Sequence, residues 1–315
     1  METFSKYNIL ADDIDRLARQ DPAALVSQCD SRYTAALDGV AARVKAQRAE
    51  KHIVMLAGPS ASGKTTTAHQ LAARLQKIGV GSEVISLDDF YLPRSQCPVR
   101  DDGTVDVETV HALDLPVVNR CLKEVTETGR ALFPVFDFQK GGRLDDWREV
   151  DLDRSEVLIV EGIHALNPLL TELVQGRYST LYATAQDRYM LGDVTLSTND
   201  LRFVRRIVRD SWSRGTDGAT TVDFWPYVCE GEFLYIKPFR STCDYYVNTA
   251  FGYEPGLYQS YLQAILQTMD QQSAQAAKVR GILQKLRAFT PIGAALIAPA
   301  AMVREFIGPA AKTQV

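Results

Sequence analysis

Apolar residues follow two different periodicities along this 315-residue chain. Short continuous apolar runs are typical of parallel strands covered on both faces, whereas apolar residues repeating every three or four positions indicate amphipathic helices. Because the two patterns alternate, the chain is predicted to be an α/β protein with a doubly wound parallel sheet. The predicted strands lie at 53–57, 83–87, 157–160, 180–183 and 245–247, and the main helical stretches at 21–44, 68–78, 115–127 and 257–286.

These patterns divide the chain into three parts. Residues 1–50 form a helical N-terminal extension, residues 51–250 the core domain, and residues 251–315 a C-terminal helical segment that packs on the core. The first twenty residues carry too many charges for a signal peptide. The longest uncharged stretch, 288–303, is too short for a membrane span and contains two prolines. We therefore expect a cytoplasmic protein without a membrane partner.

Composition narrows the range of partners. Lys and Arg number 35 against 39 Asp and Glu, for a net charge of −4, so no overall positive field attracts nucleic acid. The five cysteines are scattered without a Cys-x-x-Cys pair, which favours reduced, packed thiols. The four histidines are too dispersed to predict a metal centre. The sequence leaves open whether the protein forms a homo-oligomer.

The strongest chemical signal is a glycine-rich segment directly after the first strand. It matches G-x-x-x-x-G-K-[ST] at every fixed position, the pattern of a loop whose N–H groups surround phosphates. Its lysine reaches the β and γ phosphates and its threonine hydroxyl can hold Mg²⁺. The alternative is a plain glycine-rich turn with a solvated lysine. The predicted ATP-binding residues here are Gly58, Ser60, Ala61, Ser62, Gly63, Lys64, Thr65 and Thr66.

Acidic residues follow two further strands, at the edge from which an open parallel sheet binds its ligands. Asp88 is interpreted as a base or orienter for an acceptor hydroxyl, with Tyr91 beside it, although an aspartate at this place is also a common cap. Glu161 ends a wholly apolar strand and is interpreted as a Mg²⁺ ligand. Its alternative is a buried acid paired with Arg or Lys.

Two other regions are candidates for binding. Glu108 and His111 lie in a polar segment that could line an acceptor pocket, although a structural role is equally open for both. Downstream, five arginines lie on a predicted helix whose other face carries Leu201, Val204 and Val208. We interpret this helix as a cationic lid over a triphosphate, against the commoner alternative of a solvated basic helix. Arg206 and Arg209 are assigned to catalysis, Arg202 and Arg205 to ATP and Arg214 to the acceptor.

In this order the motifs resemble the uridine kinase and phosphoribulokinase family of P-loop kinases, over about residues 53–248. The tail adds a resemblance to bacterial uridine kinase-like proteins. The motifs are the phosphate loop, Asp88-Asp89-Phe90-Tyr91, Pro134-Val135-Phe136-Asp137-Phe138, Val160-Glu161-Gly162-Ile163 and the arginine helix. The resemblance implies a nucleoside-kinase-like P-loop fold with ATP and Mg²⁺ as cofactors. It also implies that Asp88 is the general base near Mg²⁺, that Glu161 lies on the metal side and that Glu108 contacts an acceptor sugar.

The acceptor side departs from this family. Pyrimidine nucleoside kinases of the family hold the base with a tyrosine and, five residues later, a histidine, where this chain has Phe136 and Gly141. Losing two polar groups that bind a substrate removes much of the selectivity for it. The acceptor is therefore expected to be another ribose-bearing or polyol metabolite that contacts Phe136.

Two other classes of function compete with a small-molecule kinase. One is a nucleotide-binding switch or ATPase that acts through a protein partner, but the chain has no Asn-Lys-x-Asp or Asp-x-x-Gly element. The other is a catalytically idle P-loop scaffold. The intact Lys64, Thr65, Asp88 and Glu161 argue against a scaffold.

Overall fold

The computed structural model describes residues 4–137, 142–174 and 176–309. Its strands are β1 (Tyr7–Leu10), β2 (Ile53–Ala57), β3 (Ser82–Ser86), β4 (Arg130–Asp137), β5 (Gly142–Asp151), β6 (Val157–Glu161), β7 (Tyr178–Thr184), β8 (Asp187–Leu191), β9 (Val194–Leu196) and β10 (Tyr245–Asn248). Its α-helices are α1 (Asp12–Gln20), α2 (Pro22–Gln47), α3 (Lys64–Lys77), α4 (Leu115–Thr128), α5 (Pro168–Thr171), α6 (Thr198–Ser213), α7 (Gly218–Gly231), α8 (Glu254–Thr268), α9 (Ala274–Leu286) and α10 (Arg304–Ile307).

A five-stranded parallel sheet lies at the centre, in the order β10-β7-β2-β6-β3. The predicted parallel α/β sheet is thus confirmed, and each of the five apolar runs forms one of its strands. In β2, alternate residues contribute to the two different cores: Val54 and Leu56 to one, Ile53 and Met55 to the other. The run is continuously apolar because helices cover both of these faces.

The helices form two layers. Helices α2, α3, α6, α8 and α9 contribute to one core cluster, and α4 covers the opposite face with Val118, Cys121 and Leu122. Because the strands are parallel, their carboxyl ends lie at one edge of the sheet, which receives the loops after β2, β3 and β6.

Two small sheets were not predicted. In the N-terminal extension, expected to be helical, β1 pairs in parallel with β8, which also pairs with β9. The exposed β1 is only four residues long, which is too short for a periodicity to identify, and its partner is distant in the chain. In the second small sheet an apolar β4 pairs with a largely charged β5, so the two strands share no common apolar pattern. The segment 257–286, predicted from its periodicity as one helical stretch, forms two helices, α8 and α9.

Every helix in the described part of the chain is too short or too polar to cross a membrane. All five cysteines are free thiols, and Cys97, Cys121 and Cys243 are buried. This agrees with the predicted packing role for these three thiols.

Two helical glycines provide a matched test of how closely the C-terminal elements are packed. A Cβ on Gly256, in α8, would lie 2.1 Å from the main-chain oxygen of Thr290, whereas one on Gly281, in α9, would meet nothing within 4 Å. We expect Gly256→Ala to lower the free energy of unfolding by about 1–3 kcal/mol through overpacking. Gly281→Ala should raise it by about 0.5–1 kcal/mol. Urea denaturation checks both values, and an unaffected Gly256→Ala variant would contradict the close docking at Thr290.

Candidate active site

The predicted phosphate loop joins β2 to α3 in a sharply turned conformation. Gly63, at the N-cap of α3, has a φ of 82°. Ala61 has a φ of 57° and is the one non-glycine residue with a positive φ among those described. Backbone in this region is unfavourable for a side chain with a Cβ and persists where surrounding contacts hold it. The strain therefore lies in the segment predicted to hold phosphate.

Three consecutive carbonyl groups of this loop accept hydrogen bonds from the protein behind it. The Ser60 oxygen accepts from Arg202 Nε at 3.0 Å, the Ala61 oxygen from Arg205 Nη1 at 3.4 Å, and the Ser62 oxygen from Thr249 Oγ1 at 2.6 Å. In a trans peptide the N–H points opposite to the C=O. The peptides after Ser60 and Ser62 therefore direct their N–H groups toward the inside of the loop, which is the arrangement that binds an anion.

Arg202 and Arg205 are held by buried acids. Arg202 Nη1 lies 2.6 Å from Glu232 Oε2, and Arg205 makes bonds of 2.8 Å from Nε and Nη2 to the two oxygens of Glu254. Arg202 is 2% exposed and Arg205 0%. The expectation that these two arginines belong to an open face that binds ATP is corrected: they support the loop from behind.

The remaining arginines, Arg206 and Arg209 in α6 and Arg214 at its C-cap, surround one acid. Asp210 contacts Arg206 at 3.3 Å, Arg209 at 2.9 Å and the half-exposed Arg214 at 3.7 Å. Arg206 Nη1 also donates to Ser60 Oγ at 2.7 Å. Burial lowers the pKa of Arg206, with Asp210 and Glu108 opposing that shift. Arg206 thus places a partly buried cation beside the phosphate loop.

The opposite face of α6 packs as predicted, because Leu201, Val204 and Val208 are buried. A capping box between Ser197 and Asp200 closes the N-terminus of the helix. The helix therefore packs firmly on the core along its apolar stripe, with Arg206 and Arg209 largely buried at 15% and 12% exposure. This placement differs from the exposed cationic face that was predicted.

Glu161 lies beside the loop as expected. Its Oε1 accepts from Thr65 Oγ1 at 3.1 Å and from Ser86 Oγ at 2.8 Å, while its buried Oε2 has no hydrogen-bond partner within the described residues. Burial raises the pKa of Glu161, Lys64 opposes that shift, and the neighbouring Asp88 adds to it. An acid in this environment gains from a nearby cation.

These residues fit a magnesium ion. No three His, Cys, Asp or Glu side chains of the described ranges cluster as a complete metal site. Mg²⁺ commonly takes only one or two protein oxygens and completes its shell with water and substrate phosphates. Thr65, Glu161 and Asp88 are the oxygen donors that the structure brings to this edge, and the unpartnered Glu161 oxygen is suited to the ion or to one of its waters.

The structure separates the roles of two adjacent aspartates. Asp89 Oδ1 accepts the Phe136 N–H at 3.0 Å, so that side chain anchors the β4–β5 hairpin. Burial raises the pKa of Asp89, with the Phe136 bond opposing. The half-buried Asp88 carboxylate accepts no hydrogen bond from the residues that the structure describes. Asp88 is therefore the aspartate available for chemistry.

Of the predicted acceptor residues, the structure brings some to this site and leaves others away from it. Partial burial raises the pKa of Glu108 to about 7, and Arg206 and Lys64 oppose this rise. Tyr91 donates its hydroxyl to the Val107 oxygen at 3.2 Å, beside that segment. His111 is exposed and is not brought into the cluster by any described contact. Phe136 lies opposite Arg143 in the hairpin, and Gly141 is outside the described residues.

His164 was missed. It is 1% exposed, both ring nitrogens lack a hydrogen-bond partner within the described residues, and its ring lies 6.5 Å from the Tyr235 ring. Burial lowers the pKa of His164 to about 4, with Asp88 opposing, so the ring is neutral near pH 7. The backbone of Glu108 and Thr109 also opposes this lowering of the pKa, so the His164 ring lies against the segment that carries Glu108. The position of His164 three residues after Glu161 was the signal available in the sequence.

This edge of the sheet brings the phosphate loop, Glu161 and Asp88 together. The sequence profile of the Phosphoribulokinase / Uridine kinase family matches residues 53–250, which is more than half of the chain. The protein therefore belongs to that family, and the predicted family resemblance is confirmed.

Individual relatives are distant. The uridine kinase of Ureaplasma parvum serovar 3 is 27% identical over 114 residues, which are 36% of this chain and 54% of that protein. The chain thus spans about half the length of this relative. The uridine kinase of Saccharomyces cerevisiae is 24% identical over 249 residues, 77% of this chain and 45% of its own. A solved D-glycerate 3-kinase from Cryptococcus neoformans is 18% identical and covers 86% of this chain and 87% of its own, with a TM-score of 0.37.

Arg205 within α6 and Arg214 at its C-cap should differ in their effect on stability. Arg205→Ala leaves Glu254 buried without its cation, and we expect the free energy of unfolding to fall by about 3–5 kcal/mol. Arg214→Ala removes a cation that is 53% exposed and should cost about 1 kcal/mol or less. Denaturant unfolding of both variants checks this ranking. Equal losses would contradict the supporting role of Arg205.

Proposed function

We propose that this protein transfers the γ-phosphoryl group of ATP to a hydroxyl of a small ribose-bearing or polyol metabolite. The observation that carries the proposal is the unbonded carboxylate of Asp88 at the sheet edge that also holds the phosphate loop and Glu161. A switch that only binds nucleotide has no need of a free carboxylate on the acceptor side. Membership of a kinase family supports the same conclusion.

In this mechanism the loop N–H groups and Lys64 hold the phosphates, and Arg206 and Arg209 offset negative charge on the transferring group. Thr65, Glu161 and Asp88 would hold Mg²⁺, which would offset negative charge on the phosphate oxygens. The Asp88 carboxylate accepts the proton of the acceptor hydroxyl. That oxygen bonds to the γ-phosphorus while the bond from phosphorus to the β,γ-bridging oxygen breaks, which leaves ADP.

The polar groups nearby favour an acceptor with several hydroxyls. Because the pKa of Glu108 is about 7, its carboxyl can donate or accept a hydrogen bond near neutral pH. His164 offers one donor and one acceptor nitrogen that are unused. Phe136 supplies an apolar surface and Arg214 a half-exposed cation. These groups suit a polyol or sugar more than the edge of a pyrimidine ring.

A panel of acceptors tests the proposal. ATP consumption with Mg²⁺ is measured for pyrimidine nucleosides, purine nucleosides, free sugars and other small polyols. We expect a member of the last three groups to give the highest kcat/KM, with uridine and cytidine poor, because the positions of Phe136 and Gly141 lack the expected polar groups. If uridine or cytidine ranks first, the inference from these two positions is wrong. If the whole panel leaves ATP consumption unchanged, the kinase proposal itself is contradicted for these acceptor classes.

The adjacent aspartates provide a matched pair for the mechanism. Asp88→Asn removes the proton acceptor and should lower kcat by about 100-fold or more with ADP affinity little changed. Asp89→Asn keeps an oxygen that can accept the Phe136 N–H, so a milder loss is expected. Steady-state kinetics with the best acceptor, and ADP titration, measure both. The reverse ranking would show that Asp89 is the reacting carboxylate.

A further inference from the structure

The C-terminal clamp, defined as residues 298–308, lies on the phosphate loop and the first turn of α3. Met302 covers Gly63 so closely that a Cβ on this glycine would lie 2.5 Å from the methionine sulfur. The Phe306 ring lies 4.9 Å from the guanidinium carbon of Arg205. Trp212 Nε1 donates to the Phe306 oxygen at 2.6 Å. The clamp is thus in contact both with the loop and with an arginine that supports the loop.

Glu305 makes the most direct contact. Its Oε2 accepts from Thr66 Oγ1 at 2.6 Å and from the Thr66 N–H at 3.3 Å. Thr66 is the third residue of α3, so this N–H is one of the donors that a helix leaves unpaired at its N-terminus. Glu305 forms no ion pair with any lysine or arginine among the described residues. Within the described residues its carboxylate therefore bonds only Thr66, at the start of the phosphate-binding helix.

A bound phosphate and the Glu305 carboxylate are suited to the same place. The N-terminus of a helix attracts anions through its free N–H groups and its dipole. Thr66 directly follows Thr65, and its N–H belongs to the same first turn that receives phosphate in this type of loop. Two anions so close together repel each other, particularly where the protein limits access of water.

We propose that Glu305 is a part of the nucleotide site that phosphate displaces. When a nucleoside diphosphate or triphosphate binds, Thr66 exchanges the carboxylate for a phosphate oxygen, and the contact between the clamp and α3 is released. Docking of the clamp accordingly opposes nucleotide binding, and nucleotide binding opposes docking by the same factor. The inference rests on the proposed function only for nucleotide binding at the loop and not for the identity of the acceptor.

The test measures binding of ADP with Mg²⁺ by calorimetry, without any acceptor. Glu305→Gln removes the charge but keeps an oxygen that can bond Thr66, and we expect it to tighten ADP binding by about fivefold or more. Glu127→Gln is the control, because it makes the same charge change on an exposed residue at the far end of α4. Unchanged binding in Glu305→Gln would overturn the proposal, since Glu305 would then have no effect on nucleotide binding. Weaker binding would also overturn it, since Glu305 would then help to bind the nucleotide.

A second measurement uses the unaltered protein and therefore does not depend on a variant that folds. Hydrogen exchange at the amides of residues 298–308 should become faster when ADP and Mg²⁺ saturate the site, because the clamp loses its contact with Thr66. Slower or unchanged exchange there would overturn the proposal. A failure of the acceptor panel would leave both results unaffected, so the two proposals fail separately.

Discussion

The orientation of three peptide groups in the phosphate loop is the constraint on which the site depends. Arg202, Arg205 and Thr249 bind the carbonyl groups of three consecutive loop residues, and the peptides after Ser60 and Ser62 thereby direct their N–H groups inward. The guanidinium groups can do this only because Glu232 and Glu254 neutralise them where water is excluded. The strained φ of Ala61 persists under the same contacts. The conformation of the phosphate loop therefore depends on ion pairs that lie behind it.

On the acceptor side, the same sheet edge carries polar groups with unused bonding capacity. Asp88, Glu108, Glu161 and His164 come from three separate loops and strand ends, and together they leave a carboxylate, an orphaned oxygen and two ring nitrogens without partners within the described residues. In a stable core such groups are normally paired. Their unpaired state lowers stability and is consistent with a site whose partners arrive with the nucleotide, the metal ion and the acceptor.

The C-terminal clamp contacts the phosphate-loop region from two directions. Phe306 packs on Arg205, which supports the loop from behind, while Glu305 binds Thr66 from the side of the ligand. One short segment therefore contacts both the scaffold of the phosphate loop and its first helical turn. Such a connection requires residues that are more than 200 positions apart in the chain, and only close packing brings them together.

Local pattern alone determined the five strands, the phosphate loop and the acids that follow β3 and β6. Each of these features depends on the residue types in a short segment, and parallel pairing then places the strand ends at one edge. The tertiary structure decided the roles of the arginines, because periodicity identifies a cationic face but not the buried Glu232 and Glu254 that meet Arg202 and Arg205. The tertiary structure also decided the pairing of β1, the surroundings of the buried His164 and the contact of Glu305 with Thr66. Each of these depends on neighbours far away in the chain.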